Sequence, residues 1–166
     1  LYSSADLCIS NSKYALNELI ETNIINPNKI SFIPNIVNVS HYQNLSNAKF
    51  KISDKLKPYI VCLGNIHERK NYSLAIKAFS IVVKKYNFLK LIIIGKIQSE
   101  KEYDKLTLMI NKFGLQSNII FKGFQENPLP FLKESEFLLH TSISEGFPNA
   151  VIQSICLKKS VLITTS

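Results

Sequence analysis

Glu145, Gly146, Phe147 and Pro148 stand in a row directly ahead of a segment with helical spacing. That order of residue types suits a phosphorylated sugar. Gly146 lets the backbone approach a ligand closely. The first N–H groups of a helix opened by Pro148 have no partner inside the helix, and they suit phosphate. Glu145 can accept hydrogen bonds from sugar hydroxyls. Gln153 lies about a turn and a half into the helix, so it can face the same cleft. The plainer reading is an acidic residue near a helix N-terminus, with Phe147 as a core aromatic. A second stretch runs Val61-Cys62-Leu63-Gly64-Asn65-Ile66-His67-Glu68-Arg69-Lys70-Asn71. An apolar strand ends at glycine, and a polar loop with two cations leads into a helix. Lys70 can meet a phosphate as a point charge, and Arg69 can fork onto one. The plainer reading here is a solvated helix start. His67 and His140 lie at strand ends without a partner nearby in sequence, and both read as structural. The sequence has no nucleophile elbow, P-loop or Ser/His/Asp signature. Gly95-Lys96-Ile97 lacks the spacing of a dinucleotide fingerprint.

Such residues need elements to hold them. Apolar runs predict strands at Asp6–Ser10, Lys29–Ile33, Tyr59–Leu63, Leu89–Ile94, Asn118–Phe121, Glu136–His140 and Val161–Thr164. Helical spacing predicts helices at Asn11–Thr22, Tyr72–Tyr86, Glu100–Phe113, Leu129–Lys133 and Pro148–Leu157, the third closed by Gly114. Residues 38–57 are rich in Asn, Ser and Lys with no sustained period, and read as a linker. Alternating solid apolar strands and helices indicate an α/β fold, with a parallel sheet covered by helices on both faces. Right-handed crossovers bring the strand C-termini to one edge, where such sheets bind ligands. Gly64–Asn71, Gly95–Glu100, Phe121–Asn127 and Thr141–Asn149 fall on that edge.

Composition narrows the class. The chain has 166 residues, 46% of them apolar, enough for a core. Its longest apolar runs are far shorter than the roughly 20 residues of a membrane helix. Net charge is +8, yet Arg69 is the single arginine among 20 cations. Scattered lysines without arginine forks argue against nucleic acid. They leave open a weak attraction to anionic lipid or anionic substrates. Cys8, Cys62 and Cys156 are far apart and in apolar contexts. They read as buried thiols in a reducing, cytoplasmic setting, with no zinc spacing.

Taken together, these stretches resemble the C-terminal domain of GT-B-fold glycosyltransferases. The retaining family in question (family 4, group 1) includes many bacterial lipopolysaccharide and capsule sugar transferases. The likeness rests on Asn-Lys-Ile-x-x-Ile-Pro-Asn at Asn28–Asn35 and the glycine-to-Lys-Asn element at Gly64–Asn71. It rests also on Phe-x-Gly-Phe at Phe121–Phe124 and Glu-Gly-Phe-Pro-Asn at Glu145–Asn149.

The resemblance implies a nucleotide-diphosphate-sugar donor and a Rossmann-like half of a GT-B fold. Lys70 would stabilise the diphosphate leaving group, with Gly64, Asn65 and Arg69 beside it. The amides of Gly146, Phe147 and Asn149, in the loop with Pro148, would contact phosphate and sugar. Glu145 would support oxocarbenium-like charge, Gln153 would hold the ribose, and the loop with Phe124 would lie beside the base. No metal or other cofactor is expected. Three positions depart from the family pattern: Gln153 replaces a glutamate, Asn65 an arginine and Ile97 a glycine. The implied domains are 1–38, the tail of an acceptor-binding domain, 39–57, a linker, and 58–166, a donor-binding domain incomplete at its C-terminal end. The chain alone is then expected to be inactive. The full enzyme would transfer sugar to a cell-surface glycan or lipid-linked acceptor, in the cytoplasm or peripherally at the inner membrane face. A GT-B-fold epimerase, or a catalytically silent nucleotide-sugar-binding or scaffolding domain, are the alternatives.

Overall fold

The strand Tyr-Ile-Val-Cys-Leu is apolar throughout, and every residue of it is buried. A strand of that kind must be covered on both faces. The computed structural model, which describes residues 4–48 and 52–164, places it at the centre of a five-stranded parallel sheet. The elements in chain order are β1 (Cys8–Ser10), α1 (Lys13–Glu21), β2 (Ile30–Phe32), α2 (Val39–Ser46), β3 (Tyr59–Leu63), α3 (Tyr72–Val82), β4 (Lys90–Ile94), α4 (Glu100–Lys112), β5 (Ile119–Gly123), α5 (Leu129–Glu134), β6 (Leu138–His140), α6 (Asn149–Cys156) and β7 (Val161–Ile163).

The chain divides into two compact units. The smaller holds residues 1–37 together with Glu145–Pro148. Within it β1 and β2 form a parallel pair, Cys8 opposite Ile30. Ser12 caps α1, its hydroxyl accepting from the Ala15 N–H at 3.2 Å. Ile25 and Ile30 are buried there.

The larger unit holds residues 38–144 and 149–166. Its strand order is β5-β4-β3-β6-β7. The chain moves outward from β3 through β4 to β5, then returns to lay β6 against the other side of β3. The order therefore reverses between β3 and β6, the position where open sheets part to admit a ligand.

Side-chain alternation gives two cores. Ile60, Cys62, Leu91 and Ile93 pack with Ala75, Ile76 and Phe79 of α3 and Leu106 and Ile110 of α4. Tyr59, Val61, Leu63, Ile92 and Ile94 pack on the opposite face with Leu129, Phe131 and Leu132 of α5. Burial without charge partners pushes the Cys62 thiol up to about 12. Burial also raises the Tyr59 phenol, whose hydroxyl donates to the Phe131 carbonyl at 2.7 Å.

The expected strands and helices are all present, with ends shifted by a few residues. The second expected helix stops at Val82 rather than Tyr86. The β-branched run Ile81-Val82-Val83 props it poorly, and the Lys85 and Tyr86 N–H groups both turn back onto the Val82 carbonyl. Gly114 closes α4 at φ +67, with Leu115 N–H donating to the Ile110 carbonyl. The stretch read as a linker contains α2, capped by Asn38. Asn127 donates to the Leu45 carbonyl and Gln43 to the Cys156 carbonyl, which ties α2 to the ends of α5 and α6.

Candidate functional site

Gly64 ends β3 with φ +145, a conformation that side chains rarely adopt. Its bare Cα leaves room for Lys70, whose Cε would stand 2.6 Å from any Cβ placed there. Lys70 thus folds back across the mouth of β3. Gly95, at the end of β4, is as constrained: a Cβ on it would meet the Gly64 carbonyl oxygen at 2.1 Å. The two glycines let the loops after β3 and β4 run in contact.

Those loops are stitched together. Ile66 bridges Ile97. The Asn65 Oδ1 accepts from the Lys96 N–H at 3.1 Å. The Ser99 hydroxyl donates to Glu68 Oε1 at 2.8 Å, and the Gln98 and Ser99 N–H groups both donate to the Ile66 carbonyl. The Tyr72 hydroxyl donates to the Gly64 carbonyl at 2.8 Å. Hydrogen bonds from its own backbone N–H and from Ser99 hold the Glu68 carboxyl below the ordinary carboxylate range. Asn71 turns the chain into α3 from the left-handed region, φ +49.

The other side of the switch point is equally tied. After β6, the Thr141 hydroxyl donates to the Lys70 carbonyl at 2.9 Å, and the Ile143 N–H donates to the Arg69 carbonyl at 2.8 Å. The two cationic residues are therefore held from both flanks. His140, Thr141 and Ser142 are all buried. The Ser142 Oγ makes no hydrogen bond among the described residues, so a ligand there could supply one. Lys96 Nζ stands 4.6 Å from the centre of the exposed Phe124 ring.

A family model, Glycosyl transferases group 1, matches residues 44–166. The chain belongs to that family. It is 34% identical over 141 residues to an uncharacterized glycosyltransferase of Methanocaldococcus jannaschii, covering 82% of this chain and 34% of that one. It is 29% identical over 164 residues to the N-acetylgalactosamine-N,N'-diacetylbacillosaminyl-diphospho-undecaprenol 4-alpha-N-acetylgalactosaminyltransferase of Campylobacter jejuni, covering 99% of this chain and 42% of that one. Among solved structures, Anabaena HepE in complex with UDP-glucose superposes with a TM-score of 0.79 at 18% identity, over 96% of this chain and 44% of HepE. WaaG, a glycosyltransferase involved in lipopolysaccharide biosynthesis, gives 0.70 at 16% identity, over 93% of this chain and 43% of its own length. The chain thus spans well under half the length of these relatives. The parallel α/β sheet is the Rossmann-like domain of GT-B glycosyltransferases.

Within this group 1 domain, the structure brings Gly64, Asn65, Arg69 and Lys70 together on the C-terminal edge of the larger unit. Phe124 follows β5 on that same edge. Asn149 and Gln153 also belong to the larger unit, as the exposed first residue and a half-buried interior residue of α6. Glu145, Gly146, Phe147 and Pro148 group with the smaller unit instead. There Gly146 lies against Ser12: a Cβ on it would be 3.6 Å from the Ser12 Cβ, an ordinary contact. Sequence reasoning missed Thr141 and Ile143, which clamp the cationic loop. The available signal was a pair of hydroxyl residues, Thr141-Ser142, directly after an apolar strand. No group of three or more His, Cys, Asp or Glu side chains forms a metal-type cluster among the described residues.

Proposed function

We propose that this domain holds the nucleotide-diphosphate sugar of a retaining glycosyl transfer, on the C-terminal edge of its sheet. The observation that carries the reading is Lys70, laid across Gly64 at the switch point and clamped through its own carbonyl by Thr141. Group 1 membership and the UDP-glucose complex of a protein with the same fold support it.

In this reading Lys70 neutralises the diphosphate as it departs, and Arg69 adds a second positive charge. The amides of Gly146–Asn149 contact phosphate and sugar. Glu145 binds sugar hydroxyls and balances oxocarbenium-like charge at the anomeric carbon. Gln153 hydrogen-bonds the ribose, and the loop with Phe124 flanks the base. Fixed charges of this kind act without reorganising as the bond breaks, so no metal is required for the step. The acceptor in the longer enzyme is a glycan or lipid-linked sugar met at a membrane surface, by analogy with the diphospho-undecaprenol substrate in the Campylobacter relative's name. The chain alone then binds donor without transferring it.

The test is calorimetric titration of the chain with UDP, GDP, ADP and their sugar conjugates, beside Lys70→Met. Micromolar to millimolar binding of one nucleoside diphosphate, weakened by Lys70→Met, is expected. No binding of any of them refutes the assignment. In the full-length enzyme, Glu145→Gln should lower turnover by roughly 10²–10³ with little change in nucleoside diphosphate affinity. Gln153→Glu should alter nucleotide affinity, because a charged acceptor for hydroxyls is stronger than a neutral one.

A second reading is a silent nucleotide-sugar-binding domain. Asn65 favours it, because its side chain accepts from the Lys96 N–H where the family pattern has an arginine. Donor binding without turnover by the full-length protein would decide for this reading.

A further inference from the structure

A hydroxyl buried on folding gives up its bonds to water, and a folded chain ordinarily returns one from within. Among the described residues, the buried serine and threonine side chains are Ser12, Ser46, Ser135, Thr141, Ser142 and Ser154. All but one are paired. The Ser12 hydroxyl accepts from the Ala15 N–H at 3.2 Å. Ser46 donates to the Gln43 carbonyl at 2.7 Å, Ser135 to the Leu132 carbonyl at 2.8 Å and Ser154 to the Ala150 carbonyl at 2.8 Å. Those partners all lie within one helical turn in sequence. Thr141 reaches further, to the Lys70 carbonyl. Ser142 is the exception: it is 5% exposed, and its Oγ has no hydrogen-bond partner among the described residues. An unpaired hydroxyl at that depth is unfavourable until something supplies the bond.

The place of Ser142 narrows what that partner is. It stands two residues beyond the end of β6, on the edge where the strands end and next to the reversal between β3 and β6. Both of its neighbours are anchored to the cationic pair. Thr141 is bonded through its hydroxyl to the Lys70 carbonyl, and Ile143 through its N–H to the Arg69 carbonyl. Ser142 is therefore fixed beside two positive side chains. A group drawn to them is an anion, and anionic oxygens are strong acceptors for a hydroxyl.

We propose that Ser142 is a binding residue for the donor, its hydroxyl donating to a diphosphate oxygen held by Lys70 and Arg69. The inference rests on the proposed function for the ligand, and it adds a contact from the β6 side of the switch point. Side chains commonly rearrange on binding, and such a shift brings an oxygen within reach of a residue this closed. The bond exists only in the bound state. Removing the Ser142 hydroxyl therefore weakens binding and spares the free fold. Removing a hydroxyl that is already paired, such as that of Ser135 at the other end of β6, does the reverse.

The experiment titrates the parent with UDP, GDP and ADP by calorimetry to find the best-bound nucleoside diphosphate. Ser142→Ala, Ser142→Cys and Ser135→Ala are then titrated with that nucleotide and with its glucose conjugate, and each is melted without ligand. Ser142→Ala should weaken both ligands about tenfold, the scale of one hydrogen bond to a charged group. Ser142→Cys keeps the volume and offers only a weak donor, so it should weaken them alike. The ligand-free Tm of Ser142→Ala should hold or rise. Ser135→Ala should lose several degrees and bind within about twofold of the parent. Ser142 variants that bind like the parent overturn the proposal. So does a Tm drop in Ser142→Ala matching that of Ser135→Ala, the mark of a hydroxyl already bonded inside the fold. A loss confined to the glucose conjugate overturns the diphosphate assignment in favour of the sugar. A parent that binds no nucleoside diphosphate refutes the donor reading together with this one, whereas a binding parent with unaffected Ser142 variants refutes this one alone.

Discussion

Gly64→Ala is the sharpest single perturbation of the candidate site. It adds one methyl group at φ +145, where a Cβ meets Lys70 Cε at 2.6 Å, Nζ at 3.1 Å and Cδ at 3.2 Å. Two costs follow, and they differ in kind. Holding a non-glycine residue in that backbone region costs about 1–3 kcal/mol. The clash itself costs little, because the far end of a lysine can swing aside, but swinging aside moves the ammonium group. The first cost appears as stability, roughly 3–6 °C in Tm per kcal/mol for a domain of this size. The second appears as lost anion binding. A hydrogen bond to a charged group contributes about 1.5–3 kcal/mol, or roughly ten- to a hundredfold in Kd. Lys70→Met separates them: it removes the charge and leaves the backbone unstrained, so affinity should fall without the backbone cost that Gly64→Ala carries. Calorimetry with the best-bound nucleoside diphosphate and a thermal melt of both variants complete the test. An unchanged Tm in Gly64→Ala would mean the backbone there is not held at positive φ. A lower Tm with unchanged affinity would mean that the glycine does not serve to position Lys70.

Three further outcomes follow from the packing. Thr141→Val removes the hydroxyl that donates to the Lys70 carbonyl; it should cost about 1–3 kcal/mol by urea unfolding, with Thr141→Ser recovering most of it. The folded state depresses the Glu68 carboxyl, so Glu68 favours the fold above the ordinary carboxylate range and loses that contribution as pH falls through its folded value. Glu68→Gln should therefore flatten the acid limb of a Tm-versus-pH curve, and an unchanged limb counts against the Ser99 contact. Cys62 is raised to about 12 by burial: its contribution is full below the pKa of an exposed thiol and is lost as pH rises from there towards 12. Native Cys62 should resist alkylation at pH 8 while the half-buried Cys8 reacts, and labelling of Cys62 at the Cys8 rate would contradict the packing.

Much of the frame was readable because its signals are local. The five-residue apolar run Tyr59–Leu63, rich in β-branched and aromatic residues and bounded by Pro58 and Gly64, reads as a covered strand followed by a turn. The order of the strands is another matter. Placing β6 beside β3 depends on contacts between residues far apart in sequence, and no local pattern encodes it. The clamp from Thr141 and Ile143 onto Lys70 and Arg69 exists only because of that order, so it went unseen. Helix α2 was missed for a related reason. Its residues Val39–Ser46 are mostly polar, and the segment is tied down by side chains of Gln43 and Asn127 rather than by an apolar stripe. The placement of Glu145–Pro148 was likewise illegible. The local text announces a helix start, and α6 does begin at Asn149, but the four residues before it pack with the smaller unit.

Asn65 shows how a departure from a family pattern acquires a physical meaning once the loops are in place. Its carboxamide accepts from the Lys96 N–H, which fastens the loop after β3 to the loop after β4. The same two loops are pressed together at Gly95, where a Cβ would meet the Gly64 carbonyl oxygen at 2.1 Å. An arginine at position 65 has no acceptor to offer that amide, so it would trade a fixed loop contact for a mobile positive charge. Lys70 and Arg69 sit on the same edge with their carbonyls already pinned by Thr141 and Ile143. On the proposed reading, the charge facing a diphosphate is thus concentrated in the clamped pair, and residue 65 serves the geometry of the loops. Asn65→Ala and Lys70→Met should then differ in kind: the first loosens the loops and lowers Tm, whereas the second weakens anion binding and leaves the contact between the two loops in place.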